Sequence, residues 1–145
     1  MCYSVRRQCV CGREEAEFML RDNLLPQEIL INLYCPACRD LADWDPENMV
    51  EDNGWILEYD LEGARFLMWQ RGITQEISPA FLLEEGYFSW NGLTPYDLEE
   101  RRRLHAELAP LLKQDRLQYL NAIKETMLQY VAGLKAAGWR KAQAA

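Results

Sequence analysis

The sequence has only one histidine, His105, and no run of 18 consecutive apolar residues. A membrane-spanning helix needs a run of about that length, so we expect no membrane span. The chain also lacks a phosphate-binding loop, the dinucleotide-binding glycine pattern, a Gly-x-Ser-x-Gly turn and a His-Glu-x-x-His motif. His105 stands beside arginines in a helical pattern, which is typical of a surface residue. We therefore assign no catalytic residue and no organic cofactor, and an enzyme is the least supported class.

Basic residues are scarce in the middle of the chain. Residues 40–100 contain two basic and fifteen acidic side chains, whereas residues 101–145 contain nine basic and three acidic ones. An acidic segment repels a phosphate backbone and a basic segment attracts it. Nucleic-acid binding through Arg101, Arg102, Arg103 and the basic C-terminus is therefore one hypothesis. We favour the alternative that the basic end packs on the acidic segment, in the same chain or in a partner subunit.

The chain has 145 residues, 49 % of them apolar, which suits one compact domain or a small metal domain with an appended helical part. Its first residues lead into no apolar stretch of the kind found in signal peptides. We therefore expect a cytoplasmic protein. Thiols stay reduced in that compartment, so close cysteine pairs there indicate metal binding before disulfides.

Cysteine organises the N-terminal part of the sequence. Two close pairs, Cys9 with Cys11 and Cys35 with Cys38, are separated by enough chain for one β-hairpin. Four thiolates on two tight turns, or knuckles, are what a tetrahedral Zn²⁺ or Fe ion requires. The alternatives are two disulfides or buried free thiols. Cys2 is a fifth cysteine, and it is either a reactive thiol or a small apolar residue near the terminus.

The Cys-Pro-x-Cys pair, together with an earlier pair that ends in Cys-Gly, resembles the knuckles of zinc ribbons and rubredoxins. The resemblance covers residues 5–60. It implies a three-stranded antiparallel sheet and four metal ligands, which are Cys9, Cys11, Cys35 and Cys38. The first pair encloses one residue where both families usually have two. Arg39, and not glycine, follows the second pair, which counts further against the rubredoxin-like alternative.

Apolar periodicity predicts the strands around these pairs. Alternation predicts one strand over residues 13–20, and a β-branched apolar run predicts another over residues 28–34. We expect these two strands to form a hairpin that returns the chain to the first knuckle. Asn53 and Gly54 lie between apolar runs, which predicts a type I′ turn and a further strand of the sheet.

The apolar spacing becomes helical from Asp60 onward. Asp60 and Ser78 are predicted N-caps of two short helices, which Gly72 and Gly86 terminate. The aromatic turn Tyr87–Trp90 is either a binding surface or a small core beneath the helices.

Two longer helices are predicted near residues 95–109 and 111–136, because Pro110 interrupts the helical pattern. The second helix carries a long apolar stripe that requires a partner surface. We expect the two helices to form a packed pair or a dimer interface. The residues of the stripe are Leu117, Leu120, Ile123, Met127, Val131 and Leu134.

The predicted fold class is α+β. A zinc ribbon with a three-stranded antiparallel sheet is expected at residues 1–60, followed at residues 61–145 by short helices and two longer C-terminal helices. The predicted function is that of a structural-zinc binding protein, acting as a protein–protein interaction or regulatory module. A rubredoxin-like Fe(Cys)₄ electron carrier and a nucleic-acid binding protein are the alternatives. We expect the partner to be another protein or a second copy of this chain, giving a homodimer.

Overall fold

The computed structural model describes residues 3–144, which contain six strands and five α-helices. They divide into two compact units, one that ends at Asn91 and one that begins at Gly92. All the strands lie in the N-terminal unit and the two longest helices lie in the C-terminal unit. The predicted α+β class is confirmed, whereas the predicted division at residue 60 stays a prediction. No helix within residues 3–144 is long and apolar enough to cross a membrane.

The strands form two antiparallel sheets of three strands each, in the orders β1-β2-β6 and β3-β5-β4. The strands are β1 Tyr3–Gln8, β2 Glu15–Leu20, β3 Leu30–Tyr34, β4 Met49–Asp52, β5 Trp55–Tyr59 and β6 Ser89–Trp90. The predicted turn between β4 and β5 is confirmed, because Asn53 and Gly54 both have positive φ, at 50° and 95°. Both signs are what a type I′ turn requires, and its twist matches the twist of the paired strands.

The predicted hairpin between residues 13–20 and 28–34 is wrong. The strand β2 pairs with β1 and β6, whereas β3 pairs with β5. Between β2 and β3 the chain passes through Asp22 and Asn23, whose φ angles are 55° and 53°. Two consecutive left-handed residues, which Asn and Asp tolerate better than most, turn the chain out of the first sheet. The chain then enters the second sheet as a new strand.

Five aromatic side chains join the two sheets in one core. All five are fully buried, and neighbouring ring centroids are 5.2–5.8 Å apart. They are Phe18, Trp55, Tyr59, Phe88 and Trp90. The buried carboxylate of Asp52 accepts a 2.8 Å hydrogen bond from the Trp90 indole N–H. The aromatic turn therefore contributes two rings to the core, and the interpretation of it as a small core is the one that the burial supports.

The helices are α1 Leu61–Gln70, α2 Pro79–Glu84, α3 Asp97–Gln114, α4 Arg116–Ala136 and α5 Arg140–Ala144. The two predicted N-caps are confirmed, since the side chains of Asp60 and Ser78 each accept a 3.1 Å bond from the amide three residues later. Gly72 and Gly86 follow the ends of α1 and α2 with φ of 82° and 83°. These left-handed positions suit glycine because it has no Cβ.

The predicted break at Pro110 is wrong. The helix α3 continues through Pro110 to Gln114, and the chain becomes extended at Asp115. The Asp115 carboxylate accepts bonds from the amides of Leu117 and Gln118, at 3.0 and 3.3 Å, and so caps α4. A proline inside a helix removes one hydrogen bond, whereas an N-cap satisfies amides that otherwise have no helical partner. The cap therefore decides where the second long helix begins.

Candidate metal centre

The first knuckle is the turn of the β1–β2 hairpin. The strands are in register up to the pair Gln8 and Glu15, and the Cys9 amide then donates a 2.8 Å bond to the Glu14 carbonyl. The Gly12 amide bonds to the Cys9 carbonyl at 2.8 Å, which closes a tight turn. Gly12 has φ of 74°, a conformation that glycine adopts without strain. The sequence therefore folds locally into a turn that places Cys9 and Cys11 side by side.

The second knuckle follows β3 without a linker. Cys35 is the residue after the last strand position, Tyr34, and the Cys38 amide donates a 2.8 Å bond to the Cys35 carbonyl. The Leu41 amide then bonds to the Cys38 carbonyl at 2.9 Å. Pro36 fixes φ within this turn and packs near Gly54, where an added Cβ would lie 3.3 Å from the proline Cβ.

Hydrogen bonds hold the two knuckles together. The amide of Val10 in the first knuckle donates to the Leu33 carbonyl of β3 at 3.0 Å. The Cys35 amide donates to the Cys9 sulfur at 3.1 Å. Both bonds connect the first knuckle with the end of β3 or with the cysteine that follows it, so they help to set the relative position of the two cysteine pairs.

Arg7 is a further residue that positions the site, and no pattern in the sequence pointed to it. It lies on β1 two residues before Cys9, and its Nη1 and Nη2 donate to the carbonyls of Gln27 and Leu30 at 2.5 and 2.8 Å. Leu30 begins β3, so this guanidinium connects the strand that leads into the first knuckle with the strand that leads into the second. The strand β1 itself has only Val5 buried, which explains why its alternation is weak in the sequence.

The four cysteine sulfurs converge on one point. Every pair of their Sγ atoms lies within 4.8 Å. Cys9, Cys35 and Cys38 are buried, Cys11 is partly exposed, and none of the four forms a disulfide. A tetrahedral zinc site with Zn–S bonds of about 2.3 Å has its sulfurs roughly 3.8 Å apart, so the cluster fits such an ion with small adjustments. The predicted convergence is confirmed, and the cluster is compatible with a bound metal whose identity it does not determine.

The thiols of the cluster differ in acidity. A hydrogen bond from the Arg13 amide, with N to Sγ 3.4 Å, lowers the pKa of Cys11 to about 6. Burial raises the pKa of Cys38 to about 12 and also raises the pKa of Cys9. The Cys11 thiol is therefore more acidic than those of Cys9 and Cys38. Metal binding displaces thiol protons, so a bound cation would favour the thiolates at the buried positions as well.

The remaining candidates from the sequence are Cys2, His105 and the arginine run. Cys2 is outside the described residues. His105 is exposed on α3, in the C-terminal unit, as expected for a surface residue. Within the arginine run, Arg101 is 2.9 Å from Asp97, and Arg103 contacts two glutamates of the same helix at 2.7 and 2.9 Å.

Comparison of the chain with protein-family models, with curated proteins and with solved structures finds no match. The cysteine cluster itself is consistent with a zinc-knuckle motif. In this fold the knuckles come from two different sheets, because Cys9 and Cys11 follow β1 whereas Cys35 and Cys38 follow β3.

Proposed function

We propose that this protein binds a structural Zn²⁺ through Cys9, Cys11, Cys35 and Cys38 and serves as a protein–protein interaction or regulatory module. The observation that supports the proposal is the convergence of four free thiols, three of them buried, within 4.8 Å of one another. If the thiols only filled the core, we would not expect all four sulfur atoms to lie this close together. Four thiolates fill a tetrahedral shell and leave no position for a catalytic water, so the ion has a structural role.

Metal analysis of the purified protein tests this proposal. We expect one zinc per chain, lost in Cys9→Ser and Cys38→Ser, whereas Cys2→Ser is the matched control and retains the metal. An Fe(Cys)₄ electron carrier is the alternative for the same cluster. Iron–thiolate centres absorb visible light and Zn²⁺ does not, because its d shell is full. A coloured protein with one iron would replace the zinc proposal, and a metal-free protein would contradict both.

Self-association through the C-terminal helices is a second element of the proposal. The helix α4 has no buried residue along its 21 positions, and Leu117 and Leu128 are 67 % and 63 % exposed. Eleven residues of α-helix rotate the chain by roughly 20° beyond three full turns, so these two leucines lie on one face. Leu120, which is 52 % exposed, lies near them. Such a face in water favours a second apolar surface, and a second copy of α4 would provide one.

Light scattering after size-exclusion chromatography measures this association. We expect a mass of twice the 17.0 kDa chain, and we expect the double variant Leu117→Glu, Leu128→Glu to be monomeric with unchanged zinc content. Leu41→Glu changes an exposed leucine of the N-terminal unit and is the control that stays dimeric. A monomeric wild-type protein contradicts self-association and leaves the metal proposal unaffected.

The ion pairs of the arginine run disfavour the nucleic-acid alternative. Arg101 and Arg103 already contact carboxylates of their own helix, so phosphate contacts would have to replace these pairs. We expect no DNA binding that falls steeply with salt. A titration with duplex DNA at low and high salt tests this expectation, since phosphate contacts impose a strong salt dependence.

A further inference from the structure

A second feature of the N-terminal unit is an open cleft beside α1, of about 810 Å³. One face of α1 lines it with residues spaced three and four apart, which places them side by side on the helix. The aromatic members of that face are Phe66 and Trp69, which are 60 % and 57 % exposed. Ala64 and Met68 of α1 do not line the cleft and are buried in the core. The exposed rings are therefore not needed for packing α1 onto its own unit.

The walls of the cleft combine apolar and polar residues. Pro46 and Asn48 precede β4 on one side, and Pro79 begins α2 on the other. Asp45 fixes the first wall, because its carboxylate accepts bonds from the Glu47 amide and the Asn48 side chain at 3.0 and 2.7 Å. Large exposed aromatic rings between preformed walls are typical of a binding site.

The charge around the cleft is negative. Glu47 and Glu62 line it, and residues 40–79 as a whole contain ten acidic and only two basic side chains. The one basic residue of the lining, Arg65, donates from Nε and Nη2 to the Ile77 carbonyl at 3.3 and 3.2 Å. Its guanidinium is thereby directed at the backbone of its own unit. Glu47 and Glu62 are the acidic residues of the same lining.

We infer that this cleft binds an arginine-containing extended segment of a partner protein. A guanidinium stacks on Trp and Phe faces and pairs with carboxylates, and this cleft presents both kinds of group together. A lysine side chain would pair with the carboxylates but would stack less well on the aromatic rings. A nucleic acid would be repelled by the same carboxylates that attract arginine. The inference rests on the proposed binding role, since it names the chemistry of the partner that the module would recognise.

Chemical-shift mapping with a matched pair of peptides tests the inference. The probe is acetyl-Gly-Arg-Leu-Arg-Gly-amide, and its control carries citrulline, the neutral isostere of arginine, at both arginine positions. We expect the arginine peptide to shift amide signals of residues 47–48, 61–69 and 78, and to bind at least about tenfold more tightly than the citrulline peptide, as a cation–π contact with a carboxylate pair predicts.

Variants of the protein complete the test. Phe66→Ala and Trp69→Ala should each weaken peptide binding by about tenfold, whereas Trp44→Ala, which removes an exposed tryptophan outside the cleft, should not. Zinc content and melting temperature, measured for each variant, separate lost binding from lost folding.

Equal binding of the citrulline peptide, or shifts spread evenly over the acidic surface, would overturn the inference. The inference would also be overturned if the amide signals of the cleft shifted with protein concentration in the absence of peptide, because a second copy of the chain would then cover the cleft. A protein that binds zinc but not the peptide overturns the cleft inference and leaves the metal proposal standing.

Discussion

At the scale of single residues, Gly92 is a position where the backbone tolerates little change. Its φ is 113°, and a Cβ added there would lie 2.8 Å from Cγ of Asp97 and overlap its carboxylate. Asp97 is only 1 % exposed, so its side chain has little freedom to move aside. We expect Gly92→Ala to lower the free energy of unfolding by at least about 1 to 3 kcal/mol, the usual cost of a strained backbone at a non-glycine residue. Thermal unfolding followed by circular dichroism measures the change.

Gly133 is the natural control for Gly92. It lies inside α4, and an added Cβ would meet no atom within 4 Å. Alanine is the better helix former by about 1 kcal/mol, so Gly133→Ala should raise the melting temperature. If the two substitutions changed stability in the same direction, the contrast between a strained turn and an open helix position would be refuted.

At the scale of elements, one buried carboxylate connects the two long helices. Asp97 at the start of α3 accepts a 2.7 Å hydrogen bond from the Tyr130 hydroxyl of α4, and Arg101 lies 2.9 Å from its other oxygen. The two helices are therefore joined by a polar contact. The C-terminal unit also buries Trp139, whose ring meets that of Tyr96 edge to face at 6.5 Å.

The Tyr130 contact should make stability depend on alkaline pH. Burial, followed by the bond to Asp97, raises the pKa of Tyr130 in the folded protein above its ordinary value. A group with a raised folded pKa stabilises the fold below its unfolded pKa of about 10 and loses that contribution as the pH rises further. Tyr130→Phe should cost about 1 to 3 kcal/mol near neutral pH, because it leaves a buried carboxylate oxygen without its donor. The difference from the wild type should shrink above pH 10 or so.

Urea unfolding at a series of pH values measures that difference. Burial also raises the pKa of Tyr59, but Tyr59 is present in both proteins and its effect cancels in the comparison. Tyr3→Phe changes an exposed tyrosine and is the control. A Tyr130→Phe deficit that stays constant from neutral to strongly alkaline pH would show that the hydroxyl bond contributes nothing to the alkaline loss.

Across the whole molecule, features that depend on neighbouring residues were predicted correctly from the sequence. The pairing of strands that are distant in the sequence was not. The cysteine spacing, the Asn53-Gly54 turn and the caps Asp60 and Ser78 each depend on a few neighbouring residues, and all are found in the structure. The choice of partner for β2 depends on β1 and on β6, which lies some seventy residues away. Neither strand has a strong pattern of its own, since β6 has only two residues.

The cysteine cluster shows the same difference between local and long-range features. Spacing alone identified four cysteines, but the groups that position them required the folded chain. The bond from Val10 to Leu33 and the contacts of Arg7 with the start of β3 join segments that are more than twenty residues apart. Backbone carbonyls accept these bonds, and a carbonyl carries no side-chain signature in the sequence.

Removal of the proposed zinc should affect the two units unequally. Structural zinc contributes on the order of 10 kcal/mol in small zinc fingers, which have almost no core of their own. The N-terminal unit has instead a core of five aromatic rings contributed by both sheets, from Phe18 to Trp90. We therefore expect a strong chelator to open the knuckles at residues 9–12 and 35–38 while β5 and the C-terminal helices keep their structure.

Hydrogen exchange followed by mass spectrometry resolves this response along the chain. Peptides that contain the knuckles should exchange faster after chelation, and Cys35→Ser should reproduce the same pattern without chelator. Peptides from α4 should be unchanged, because α4 lies in the other unit. Unchanged exchange at the knuckles would show that the cysteine cluster stabilises nothing. A unit that its apolar core stabilises independently should lose protection only in the segments that the ion would hold. Loss of protection throughout the N-terminal unit would therefore show that the aromatic core is not stable without the metal.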